Sequence, residues 1–181
     1  MRHIIYILSL LCFFNSCSFR TQDKADKLIE KVEKIDIKRF YPIEFGRRGD
    51  LEIYTYHFND TSNYVWTYNT KKEQFDFDSN PLFDTFTNEI KDYKTYASIL
   101  REDINTLNIV MISQSPWIGN LIRFWISPTE FVSYVNPDFD FDNAAKQQWK
   151  KELKLGKELN TNWIIVDISS KEYKDYYDKN N

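Results

Sequence analysis

Hydrophobic positions recur along the chain in two rhythms, and each change of rhythm marks an element. Between Thr21 and Ile37, the residues Ala25, Leu28, Ile29, Val32 and Ile35 fall at helical spacing among Asp, Lys and Glu, which predicts an amphipathic helix. Leu51 to Phe58 and Tyr64 to Tyr68 are dense in aromatic and β-branched residues, with a polar loop from Asn59 to Asn63 between them. Those two runs predict a β-hairpin. Phe75-Asp76-Phe77 predicts a short third strand, after which Asn80 suits a helix N-cap and Pro81 the first helical position. From Leu82 to Asn105, the residues Phe83, Phe86, Ile90, Tyr93, Ala97, Leu100 and Ile104 return every three or four positions. This is the most regular helical pattern in the chain.

Three further strands are expected, at Leu107 to Ser113, Leu121 to Ser127 and Glu130 to Val135, joined by the segment 114–120 and a turn at Ser127-Pro128. Connections this short imply antiparallel neighbours. Asp142 or Asn143 then caps a helix running to Leu155, with Gly156 as its stop. Asn162 to Ile168 is apolar almost without interruption, the pattern of a strand inside a sheet rather than at its edge. The expected fold is α+β, a mainly antiparallel sheet with about three helices packed on one face. It occupies a single domain over 22–170, followed by a charged tail over 171–181.

The N-terminus follows neither rhythm. After Met1-Arg2-His3 comes an apolar run from Ile4 to Phe14, broken only by Ser9. A run of about eleven residues is short of the roughly 20 that span a bilayer and matches the apolar core of a secretory signal. Phe14-Asn15-Ser16-Cys17 resembles the lipobox of bacterial lipoproteins, in which a small residue precedes a cysteine that receives diacylglycerol. The resemblance implies a signal peptide over 1–16, lipidation of Cys17, a short linker over 17–21 and a membrane partner reached through that anchor. Ser18 behind the cysteine resembles sorting to an outer rather than an inner membrane. The rival reading is ordinary cleavage after Ser18, since Ser16 and Ser18 are small residues at the two positions that protease reads. The cysteine count favours lipidation: of the 2 cysteines, Cys12 lies within the signal, which leaves Cys17 no intramolecular partner. With a helix beginning so soon after Cys17, the domain is expected close to the membrane surface.

Charge and chemistry narrow the function mostly by exclusion. A net charge of −3 with interspersed signs gives no basic surface for nucleic acid. Beyond the signal the chain holds one histidine, His57, and its four glycines, Gly46, Gly49, Gly119 and Gly156, build no phosphate loop, dinucleotide fingerprint or nucleophile elbow. No catalytic residue, cofactor or metal ligand is assigned. Asp138-x-Asp140-x-Asp142 alternates like a calcium loop, but Asn143 and Trp149 stand where that loop needs Gly and Glu.

Aromatic residues remain: 5 Trp, 12 Tyr and 14 Phe. Tyr54, Tyr56 and Phe58 on one strand and Tyr64, Trp66 and Tyr68 on the next form either core or an open stacking platform, depending on hairpin register. A tentative binding surface is Trp117, Arg123 and Trp125, because Arg123 and Trp125 alternate against the apolar set Ile122, Phe124 and Ile126. The expected function is a membrane-tethered envelope lipoprotein whose domain is a binding or structural module for an envelope protein or glycan. The alternatives are a carboxylate-dependent hydrolase of glycans and a lipid-anchored immunity or inhibitor protein.

Overall fold

The computed structural model describes residues 22–59, 61–114, 121–138 and 143–180. The opening helix, α1, spans 22–32 and leads through a 3-10 turn at Ile37–Phe40 into strand β1, Ile43–Arg48. Gly49, at φ +60°, and Asp50 then reverse the chain in two residues, pairing Arg48 with Leu51 at the start of β2, Leu51–His57. Strand β3, Asn63–Asn69, follows the loop closed by the Asn59 side chain, whose oxygen accepts from the Thr61 and Ser62 amides. A second Asn-capped turn leads to β4, Gln74–Phe77.

The long helical pattern forms two helices, α2 at Pro81–Glu89 and α3 at Tyr93–Leu107. Asp92 makes the break by accepting from the Thr95 amide as a new N-cap. The periodicity runs across the break because both helices bury the same side. Asn108, at φ +55°, ends α3, so the strand expected from Leu107 begins later, as β5 at Met111–Gln114.

Then come β6, Leu121–Trp125, β7, Glu130–Val135, α4, Asn143–Leu155, β8, Lys157–Asn160, and β9, Trp163–Asp167. The charged tail forms a last helix, α5, Lys171–Asn180. Nine strands make one antiparallel sheet in the order β4-β3-β2-β1-β5-β6-β7-β9-β8.

Register decides the fate of the aromatic strands. Tyr54 sits opposite Trp66 and Tyr56 opposite Tyr64, and all four point toward the helices. The Tyr54 and Trp66 rings stack at 5.4 Å, and Phe86 of α2 stacks on Tyr64 at 4.7 Å. They are core. The same cluster takes Ala25, Leu28, Ile29 and Val32 of α1, Leu100 and Ile104 of α3, and Ile122 and Phe124 of β6.

The expectation of about three helices on one face needs correction. Among the described residues there are five helices, and they cover both faces. α1, α2 and α3 share the large core, whereas Trp149 of α4 and Tyr173 of α5 pack with Phe131, Ile164 and Val166 on the opposite side. The physical reason lies in β7 and β9, where consecutive residues are buried and so neither face can meet water. β9 lies inside the sheet, flanked by β7 and β8, as its continuous apolar run predicts.

Candidate functional site

The outer face of β5, β6 and β7, roofed by α4 and α5, encloses a cavity of about 240 Å³. Period-two alternation builds its floor. Ile122, Phe124 and Val132 turn inward to the large core, which sends Ser113, Arg123, Trp125 and Phe131 to the opposite face. α4 brings Lys151, Glu152 and Leu155, β9 with the residue after it brings Val166 and Ile168, and α5 brings Tyr173 and Tyr177. Several of these side chains are only half-buried, so the cavity reaches the surface.

Arg123 is the polar hub of the floor. Its Nε lies 2.9 Å from Glu152 Oε1, its Nη2 bonds the same oxygen, and its Nη1 makes a long 3.5 Å contact to the Gln114 carbonyl. The Ser133 hydroxyl donates to the other Glu152 oxygen. Glu152 is 4% exposed and Ser133 is fully buried, so this carboxylate is fixed by a cation and a hydroxyl beneath the helix. Trp125 donates its indole N–H to the Ser113 hydroxyl at 2.9 Å and packs its ring 4.8 Å from Phe131. Both residues thus lie in a lined cavity. α4 and α5 cover the outer face of β6 that carries this pair. Trp117, the third residue of that surface, lies outside the described residues.

Lys151, Tyr173 and Tyr177 complete the lining, with Tyr176 beside Lys151. The Lys151 ammonium sits 4.5 Å from the Tyr177 ring centroid and 5.5 Å from that of Tyr176. Burial pushes the Tyr173 phenol up, and its hydrogen bond to Tyr177 pushes it further. Burial also acts to raise Tyr177, but hydrogen bonds from Lys151 and Tyr173 and the Lys151 charge outweigh it, leaving Tyr177 below its ordinary value.

Other candidate chemistry is dispersed. His57 stands on the other half of the sheet, its Nε2 3.3 Å from Glu44 Oε2, and is not one of the residues that line the cavity. Buried Glu52 accepts from Arg101 Nε at 2.8 Å, Arg47 Nε at 3.3 Å and the Tyr54 hydroxyl at 3.1 Å, a network that ties β1 and β2 to α3. The acidic stretch 139–142 lies outside the described residues. No three His, Cys, Asp or Glu side chains converge as a metal cluster among the described residues.

Sequence reasoning found Arg123 and Trp125 by alternation. It missed Ser113, Phe131, Lys151, Glu152, Tyr173 and Tyr177. The available signals were the same alternation on β5 and β7 and the i, i+4 tyrosines of the tail. No family model matches the chain, and no curated protein or solved structure matches it either.

Proposed function

We propose that the chain is a lipoprotein of the bacterial cell envelope, anchored through lipid on Cys17, whose single domain is a non-enzymatic binding module. The outer membrane is its proposed site, from Ser18 behind the cysteine. The observation that supports a binding role is the cavity under α4 and α5, where apolar walls meet a few fixed polar groups, the usual make-up of a small-ligand site. Glycoside hydrolysis takes two facing carboxylates. Among its described residues the cavity lining offers one, Glu152, already bound by Arg123 and Ser133. That favours binding over hydrolysis.

The burial of α1 supports a short tether. Ala25, Leu28 and Val32 are in the core, so packed structure already stands within a few residues of Cys17. Even at full stretch, the five Cα steps from Cys17 to Gln22 span at most roughly 17 Å, which would hold the domain beside the bilayer.

Detergent-phase partition of the full-length protein and its Cys17→Ser variant tests the anchor. Thermal shift in a small-molecule extract of the envelope tests the binding role. The proposal expects the wild type in the detergent phase, the variant in the aqueous phase, and a raised melting temperature in the extract. Identical partition of the two proteins, or no shift with any extract fraction, overturns it.

A further inference from the structure

We propose that the cavity takes a small organic monoanion, a carboxylate carried on an aromatic or branched apolar body. The inference rests on the reading of the cavity as a ligand site and adds the chemistry of what enters it.

Charge comes first. Among the described residues three ionised groups line the space: Arg123, Lys151 and Glu152. Arg123 and Glu152 neutralise each other through direct hydrogen bonds. Lys151 has no carboxylate within ion-pair distance among the described residues. Its described neighbours are the faces of Tyr176 and Tyr177 and the Tyr177 phenol. Among the described residues the lining therefore carries one surplus positive charge, held in partly desolvated surroundings where a charge-assisted bond to an anion is strong.

Tyr177 feels the same charge, alongside its hydrogen bonds from Lys151 and Tyr173. Its phenol is easier to ionise than usual although burial opposes ionisation. The Lys151 charge that acts on this phenol would act in the same direction on a carboxylate beside it.

Shape and wall chemistry set the rest of the molecule. Trp125, Phe131, Leu155, Val166 and Ile168 offer aromatic and branched aliphatic surface. A cavity of about 240 Å³ falls below the roughly 300–1,000 Å³ of drug-sized sites. The occupant is accordingly small, with an apolar body against β6, β7 and β9 and one charged end at Lys151. A dianion such as a phosphate ester is disfavoured, because one surplus cation leaves its second charge buried without a partner.

Isothermal titration of the full-length protein in detergent tests this, with phenylacetate as the anion and phenylacetamide as its neutral counterpart. Phenylacetate is expected to bind and phenylacetamide to bind about tenfold more weakly or not at all. Lys151→Met should lower phenylacetate affinity about tenfold while the protein still unfolds in one cooperative transition, and Lys151→Arg should retain it. Phenylacetamide binding as tightly as phenylacetate overturns the anion proposal and leaves the ligand-site reading standing. Unchanged phenylacetate affinity in Lys151→Met overturns the assignment of the charged end. Failure of both compounds to bind overturns the proposed ligand class, and the extract experiment above then judges the ligand-site reading by itself.

Discussion

Arg123 of β6 and Glu152 of α4 form a buried ion pair, with side chains 16% and 5% exposed and Arg123 Nε 2.9 Å from the carboxylate. It is the polar fastener between the outer face of the sheet and the helix that roofs the cavity. Removing one partner leaves the other charge buried, which costs about 3–5 kcal/mol, whereas replacing both with apolar residues is close to neutral. Arg123→Met and Glu152→Leu are each expected to fall in that range, with the double variant losing clearly less than the sum of the two, the remainder being about 1–3 kcal/mol for the buried Ser133 hydroxyl left without its acceptor. Urea unfolding of the four proteins measures the cycle. Additive losses would mean that the two side chains act separately.

The Glu52 network makes a second stability prediction. Its carboxylate is 4% exposed and holds Arg47, Arg101 and the Tyr54 hydroxyl, while the Arg101 guanidinium stacks 3.7 Å from the Tyr68 centroid. Arg47 and Arg101 keep 39% and 30% of their side chains in solvent, which softens the loss when the charge goes. Glu52→Gln preserves the shape and should cost about 1–3 kcal/mol, measured by chemical denaturation.

Gly156 is required by space. Among the described residues Gly49 is the glycine with positive φ, whereas a Cβ at Gly156 would lie 2.6 Å from the Ile165 carbonyl oxygen and 2.6 Å from Ile164 Cγ2. The sequence marks this glycine as a helix stop, and α4 does end at Leu155, but the cause is the close approach of β9. Since a backbone atom of the sheet must move, Gly156→Ala should destabilise the domain by about 1–3 kcal/mol. Gly46→Ala, with nothing within 4 Å of its Cβ, should cost less, and thermal unfolding of the pair compares them.

Alkaline stability follows from the aromatic core. Burial, aided by the Glu89 hydrogen bond, pushes Tyr56 to about 12, and burial with the nearby Asp78 charge pushes Tyr64 to about 12. Tyr54 and Tyr96 are raised further, also by burial first. In the unfolded chain these phenols ionise near pH 10. Between about pH 10 and 12 the unfolded chain therefore sheds protons that the folded domain keeps, and stability falls as pH rises. The contribution is complete below about pH 10 and disappears through about pH 12. Urea midpoints should be flat near pH 8 and drop steeply above pH 10. A midpoint that stays level through pH 12 would contradict the burial of these phenols.

Legibility in the sequence tracked how local each cause was. Helix α1, the β2–β3 hairpin and the helical run through Phe86 and Leu100 were readable because their apolar periods are fixed by their own backbone geometry. β1 was missed although Gly49-Asp50 is a two-residue turn between it and β2, and polar β8 gave no alternation to read. The second helical layer was not legible as such. Whether Arg123 and Trp125 meet water depends on what covers β6, and that cover comes from residues 151 to 177. The consecutive burial of β7 and β9 was the available hint, since a strand apolar on both sides needs partners on both sides.

The proposed anchor would hold this small α+β domain at a membrane surface through Cys17, and mass spectrometry of the mature N-terminus, on protein isolated from its native envelope, reads that anchor itself. The account predicts an N-terminal peptide beginning at Cys17 and carrying a diacylglycerol thioether. A mature chain beginning at Met1, Ser18 or Phe19, without lipid, would contradict it.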